Sequence, residues 1–389
     1  MRDEVLIAGA GPAGAIAALL LARAGVRVRL LDRAIFPRDK LCGDTVNPGT
    51  LEILRRLGIA GIVERDGVPI QGMVVTGAGG ERVRGEYGAG IHGVSLLRRE
   101  LDWLLVRHAI GAGASFEPGV LVQEPLVEEA GGRRRVTGLR VVSRTGASHD
   151  LRAGLTIAAD GRRSRLAFHL GLAKHPERPR RWAIGGYFDD VACPDGVGEM
   201  HIRCGRYIGV APVPGGLTNA CIVVDEPRCG ALAEPGALLR ATLQADPLLR
   251  DRFAEARLVS APAVLGPLAV DTTAAGTDGL LLAGDAAGFI DPMTGDGLFF
   301  AVRGAELAAD VAQGLLGGSV ADGPLELAAR RQQAFMAKWR MNRVLRALVA
   351  SPRAMTWAAR GARICPAAVR HLIARAGDVS ADARQRRFV

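Results

Sequence analysis

A glycine-punctuated turn between two apolar runs, at the start of the sequence, leaves few folds open to this chain. Val5-Leu6-Ile7-Ala8 reads as a short buried strand, and Gly9-Ala10-Gly11-Pro12-Ala13-Gly14 as a tight turn. An Ala/Leu-rich helix then runs to about Ala24 and is stopped by Gly25, and Val26 to Leu31 forms a second strand with Asp32 at its tip. A G-x-G-x-x-G set between strand and helix, followed by an acid, predicts a parallel α/β sheet with a dinucleotide site at its strand ends. Gly9 permits the turn, Gly11 lets a pyrophosphate approach the backbone, and Gly14 lets the helix pack closely on the sheet. Pro12 and Ala13 open a helix whose unpaired N–H groups and dipole favour an anion. Asp32 stands where a carboxylate reaches a ribose hydroxyl, followed by Arg33 in the adjoining loop.

The rest of the composition narrows the class. With 389 residues there is room for two or three domains, and aromatic residues make up only 4% while Ala, Leu, Val and Gly dominate. No apolar run reaches the roughly 18 residues needed to cross a bilayer. Asp3 and Glu4 spoil the basic start of a secretory signal. The six cysteines form no C-x-x-C pair and no metal-ligand spacing, so no metal is expected and the thiols are read as reduced, in a cytoplasmic protein. The net charge of +10 is local: from Pro324 onward there are 14 Lys or Arg against three acids, a balance of +11, and the rest of the chain sums to −1. A nucleic-acid partner is therefore not expected. The Arg331, Lys338, Arg340, Arg343 and Arg346 set, with Phe335, Trp339, Leu345 and Leu348, is a basic amphipathic pattern. It is read first as a cap on the nucleotide domain, with peripheral contact to an anionic membrane as the alternative.

Further along, a helix is expected from Asn47-Pro48 to Leu57, a hairpin over Val68 to Tyr87, and a helix from Ser95 to Ala109 with Leu97, Leu101, Leu104 and Leu105 on one face. Strands follow near Ala114 to Val122, Thr137 to Ser143 and Leu155 to Ala158, the last ending at Asp160-Gly161. From about Pro176 to Ala269 short β-like runs separated by Gly/Pro turns suggest an inserted antiparallel sheet. Gly279 to Ala283 is another buried strand, ending at Gly284-Asp285, with a helix from Gly295 to Gly314 and two or three amphipathic helices between Leu325 and Ile373. The expected organisation is a discontinuous Rossmann-like domain over 1–66, 95–175 and 270–323, a β-rich substrate domain over 67–94 and 176–269, and a basic helical region over 324–389.

Taken together, Gly9–Gly14, Asp160-Gly161 and Gly284-Asp285 resemble the fingerprint set of FAD proteins with the p-hydroxybenzoate hydroxylase fold, over nearly the whole chain. Within that superfamily, Arg38-Asp39-Lys40-Leu41-Cys42-Gly43 and the Gly284–Leu298 stretch resemble the geranylgeranyl reductase branch, with part of the latter shared by flavin-dependent halogenases. The resemblance implies FAD as cofactor. It makes Asp285 an acceptor for the ribityl chain and Arg98 an FAD contact, and sets Asp160, Gly161 and Ser164 beside the cofactor. Pro292, Gly295, Asp296, Gly297 and Leu298 precede a helix that would point at the isoalloxazine, where N–H groups stabilise negative charge on the reduced ring. Lys40, Cys42 and Gly43 would lie over the flavin face, with Cys42, Pro292, Gly295 and Gly297 as the catalytic candidates. For Cys42, packing is the plainer reading beside a chemical role with its thiol activated by Lys40 or Arg38. Ala167 stands where the Asp160 motif often ends in Arg.

The substrate side carries weaker signals. Tyr207-Ile208-Gly209-Val210-Ala211-Pro212 falls where prenyl reductases carry an aromatic-rich Y-x-W-x-F-P, with Gly209 and Ala211 in place of Trp and Phe, which implies a wider pocket. The W-x-W pair of halogenases is absent at Trp182. Pocket candidates are Trp182, Tyr187, His201 and Tyr207. The leading expectation is an NADPH- or NADH-fuelled monooxygenase acting on a small hydrophobic or aromatic metabolite through a flavin C4a-hydroperoxide. The rival is a reductase of isoprenoid or polyketide double bonds, and a third reading is a non-redox flavoprotein cyclase. Electron delivery by a separate flavin or ferredoxin reductase remains open.

Overall fold

The structure, a computed structural model, describes residues 4–40, 44–130, 132–178, 180–193, 196–225, 232–290, 293, 295–350, 367, 373–375 and 377. Cys42, Gly43 and Pro292 of the expected site lie outside the described residues.

The fold is mixed α/β. Its first sheet has six strands in the order Gly276–Thr277, Leu280–Leu282, Leu155–Ala158, Glu4–Ala8, Arg27–Asp32 and Ser115–Pro118. All but the first are parallel, and the register sets Ala8 beside both Leu31 and Ala158, and Ala158 beside Leu282. Three chain segments far apart in sequence therefore leave the sheet from one level of one edge. Helices Pro12–Arg23, Arg98–Gly111 and Gly297–Leu316 cover one face, burying Ile16, Leu101 and Val302 against Val5 and Ile7. A meander of Leu121–Ala130, Arg133–Val142 and Ser148–Arg152 covers the other, packing Leu139 and Val141 on Leu6 and Ala158. These strands are buried on both faces, which is why they read as unbroken apolar runs. The strand expected over Ala114 to Val122 is two strands in two sheets, broken at Gly119, whose φ of +77° no β-strand accommodates.

The second sheet gathers eight strands from both sides of the nucleotide-binding segments. Its centre is Arg181–Asp189, Leu217–Asp225, Arg206–Val213 and Val197–Arg203, all antiparallel. The Gly72–Thr76 strand then adds in parallel to Val197–Arg203, an exception to the antiparallel expectation. One face is covered by the Pro235–Ala245 helix, which buries Leu239 and Leu243 on Ile184, Ile208 and Ile222. The other face turns toward the strand ends of the first sheet.

Of the two or three C-terminal helices expected, the described residues hold one long helix, Gly323–Ala350, which packs along Gly297–Leu316, and a short helical stretch at 373–375; the rest of that expectation lies outside the described residues. No helix among the described residues is long and apolar enough to cross a membrane.

Candidate functional site

The N-terminal turn is shaped by contacts that only glycine allows. Gly9 sits at φ +96° and donates its N–H to Leu31 O at 2.7 Å, and a Cβ there would lie 2.4 Å from the carbonyl oxygen of Ala159. A Cβ on Gly14 would fall 1.8 Å from the Gly9 carbonyl oxygen, whereas at Gly11 the nearest atom would be Arg38 Nη2 at 3.8 Å. The turn is thus closed behind Gly9 and Gly14 and open in front of Gly11. Asp32 braces it: Oδ2 accepts the Ala10 N–H at 2.8 Å and Oδ1 accepts the Ala34 N–H at 2.8 Å. Gly11 is the N-cap of the Pro12–Arg23 helix with no side chain capping it, so the first-turn N–H groups face the cavity that Gly11, Pro12 and Ala13 line. Arg33, expected to help bind the cofactor, is exposed and does not line that cavity.

A group of cations completes the wall. Arg98 makes a bidentate pair with Asp102 at 2.8 and 2.9 Å, and Arg38 Nη2 reaches the same carboxylate at 2.9 Å. Fully buried Asp102 thereby fixes two arginines beside the glycine turn. Lys40 and Arg98 both line the cavity. Burial holds the Lys40 ammonium below its usual pKa, with Arg98 and Arg38 adding to the effect while Asp285 and Asp102 oppose it. An anion arriving there would relieve that cost.

The third strand end brings Gly284, at φ +60°, within 2.8 Å of Ala13 Cβ measured from its own would-be Cβ, and sets Asp285 in the same wall. Gly295, Gly297 and Leu298 line the cavity where the Gly297–Leu316 helix begins. Asp296 between them does not line it: its carboxylate is buried behind the loop, paired with Lys338. Gly161 lines the cavity, but the Asp160 carboxylate, expected to face the cofactor, turns back to accept the Arg165 N–H at 2.8 Å. Ser164 caps the same short helix through Ala167 N. The D-G-x-x-S element shapes its own turn and offers the cavity its backbone.

The second sheet forms the other wall, and strand alternation decides which side chains reach it. Rows Ala183–Val223–Tyr207 and Cys221–Gly209–Met200 face the cavity, where Leu265, Leu268 and Phe289 join them. Tyr207 is therefore in the wall as expected. His201 is not: it lies in the row with Ile208 and Ile222, on the face covered by the Pro235–Ala245 helix. There its Nδ1 meets Thr76 Oγ1 at 2.9 Å, next to Glu199, whose carboxylate is held by Arg252 at 2.7 and 3.0 Å. Trp182 is likewise outside the cavity lining, packed across Gly266 with the Arg180 guanidinium 5.4 Å from its ring. Tyr187 hydrogen-bonds the carboxylate of Asp44.

Asp44 is a residue the sequence reasoning passed over. Fully buried, it accepts the Arg98 N–H at 3.0 Å, supplying the cap that the Arg98–Gly111 helix lacks locally, and it accepts Asn219 Nδ2 from the second sheet. Burial pushes its carboxyl up to about 6, against the opposing pull of Asn219, Tyr187, the Arg98 N–H and the Arg98 charge. Its partners lie 54 and 175 residues away in sequence, so no local pattern marks it. Arg162 was also missed; it lines the cavity while donating to Pro267 O at 3.1 Å.

The chemistry of these walls fits FAD. The open glycine turn, the uncapped helix terminus and the cations suit a pyrophosphate, Asp285 suits a polyol chain, and the Gly295–Leu298 backbone faces the space where a ring would meet the apolar wall.

Comparison with known proteins agrees. Residues 2–219 match the FAD binding domain family model. The chain is 30% identical over 320 residues to a menaquinone reductase of Mycobacterium tuberculosis, covering 79% of this chain and 76% of that one. It is 31% identical over 330 residues to digeranylgeranylglycerophospholipid reductase 1 of Methanopyrus kandleri, covering 80% of each. Among solved structures, the flavin-dependent halogenase CmlS superposes with a TM-score of 0.76 at 25% identity, over 88% of this chain and 63% of that one. This chain thus spans less than two thirds of that halogenase's length. Matched over more than half its length by the family model, and built around that family's glycine turn, the chain belongs to the FAD-binding-domain family of FAD-dependent oxidoreductases.

Proposed function

We propose that the chain is an FAD-dependent reductase that saturates a carbon–carbon double bond in a largely apolar, isoprenoid-type substrate. The observation that carries this reading is the character of the second-sheet wall: Ala183, Met200, Gly209, Cys221 and Val223 face the cavity, while the carboxylate of Glu199 and the imidazole of His201 point to the opposite face. Such a wall binds by apolar burial, worth about 25 cal/mol per Å² removed from water. Among the described residues this wall presents no His or Lys side chain to the cavity, and Lys40 lines the cavity from the opposite side, in the cation group beside the glycine turn. Two relatives of about 30% identity carry names that denote reduction of polyprenyl-bearing compounds, which supports the same reading.

Bound FAD, once reduced by a nicotinamide or a protein donor, supplies a hydride. The chain's residues hold the alkene against the ring by shape and exclude water, and Tyr87 and Tyr207, both lining the cavity, are the proposed source of the proton that completes saturation. The test is single-turnover incubation of anaerobically reduced holoenzyme with a polyprenyl quinone and with a geranylgeranyl lipid. Reoxidation of the flavin without oxygen, together with a product two hydrogens heavier, is expected. A product gaining one oxygen atom, formed only when oxygen is admitted, would replace the reductase with a monooxygenase.

A further inference from the structure

The cavity-facing loop before the Gly297–Leu316 helix is gripped from behind by the Gly323–Ala350 helix. Asp296 is 2% exposed, and its Oδ1 lies 2.8 Å from Lys338 Nζ while Asn342 Nδ2 donates to Oδ2 at 3.2 Å. The Lys338 ammonium also sits 4.5 Å from the centroid of the Phe299 ring. Seven residues earlier, Arg331 donates to the carbonyl oxygen of Ala287 at 2.7 Å. Arg331, Phe335, Lys338 and Asn342 recur at helical spacing and are all buried, forming one stripe. This stripe holds both ends of the segment between the Gly284 turn and the Gly297–Leu316 helix.

The charge arithmetic gives the stripe a purpose beyond packing. A helix N-terminus carries the equivalent of about half a positive charge, which favours anionic groups in front of it. Asp296 is a full negative charge at that same terminus, flanked by the cavity-lining Gly295 and Gly297 and removed from water that would screen it. Alone, it would reverse the field felt by a ring on the cavity side. We infer that Lys338 is a positioning residue for the cofactor's electronics: by neutralising Asp296 it keeps the N-terminus of the Gly297–Leu316 helix electropositive toward the flavin, favouring the reduced, more negative form. This holds whichever substrate the enzyme takes.

The test is the flavin midpoint potential of the FAD-loaded protein, by dye equilibration without substrate, for Lys338→Met, Lys338→Arg, Asp296→Asn and the Lys338→Met/Asp296→Asn double variant. Lys338→Met is expected to shift the potential more negative, Lys338→Arg to leave it near wild type, and Asp296→Asn to shift it more positive. The double variant is expected to return toward wild type. A Lys338→Met potential equal to or above wild type overturns the inference, and so does a double variant as displaced as the single. Should Lys338→Met fail to retain FAD, Asp296→Asn decides: no positive shift there means the pair only packs the loop.

Discussion

At the residue scale the site rests on two kinds of position. Gly14 is the first kind, where the backbone itself approaches. A Cβ 1.8 Å from the Gly9 carbonyl cannot be accommodated by moving a side chain. Gly14→Ala is expected to weaken FAD binding by about tenfold or more, some 1.4 kcal/mol, read as bound-flavin absorbance per protein after dialysis. Gly209 is the second kind. The nearest atom to a Cβ there is Cys221 O at 3.9 Å, so a large side chain would enter the cavity unopposed. Gly209→Trp should leave flavin content unchanged and lower kcat/KM on a polyprenyl substrate by about tenfold or more; undiminished turnover would show that the substrate does not use this wall. Asp44 predicts a pH effect. Its folded carboxyl titrates near 6 against an ordinary 3.8, so the folded chain holds that proton more tightly than the unfolded one. Asp44 therefore contributes most when protonated, and stability is lost as pH rises from about 4 to about 6, by at most about 3 kcal/mol. The gap in urea-unfolding free energy between wild type and Asp44→Asn should move against wild type over that window, and a gap that stays constant with pH would refute it. The glycines were legible because their constraint is local. Asp44 was not, because what makes it special is a helix and a strand that arrive later in the chain.

Among elements, the Gly323–Ala350 helix shows why amphipathic patterns mislead. Its sequence suggested a basic face toward solvent, but Arg331 and Lys338 lie on the inner face with Phe335, while Arg340 and Arg343 remain exposed. Two cations and an amide in the buried stripe blur the apolar period, so neither the helix's length nor its inner face could be read off spacing. Phe335 is 1% exposed and meets the Phe300 ring edge-on at 5.0 Å. Phe335→Ala is expected to cost about 3–5 kcal/mol in chemical denaturation, and a loss below about 1 kcal/mol would mean that this helix is loosely held. The second sheet failed differently: its strands were legible, but which alternate face met the cavity was not. The placement of His201 and Trp182 turned on where the Pro235–Ala245 helix packs, information that no single strand contains.

For the whole molecule, the three strand-end motifs were recognisable one by one, and their convergence follows from sheet order and register. FAD would touch all three ends together, so its binding is expected to stabilise the entire chain. At a hundredfold excess over Kd that amounts to about 2.7 kcal/mol, visible as a rise in Tm with FAD concentration, and an unmoved Tm would place the cofactor site in one locally folding segment. The same strand order has a consequence for biosynthesis. Leu280–Leu282 pairs with Leu155–Ala158, which pairs with the chain's first strand, Glu4–Ala8. At bacterial or eukaryotic elongation rates of about 5–20 residues per second, the interval between the first strand and that late partner is about 14–56 s. Throughout it the cofactor cradle lacks a wall, and once Leu155–Ala158 has been made that strand too waits with one edge unpaired. Cofactor loading is thereby confined to the time after Leu280–Leu282 has been made, and a product truncated before Leu280 could not complete the cradle.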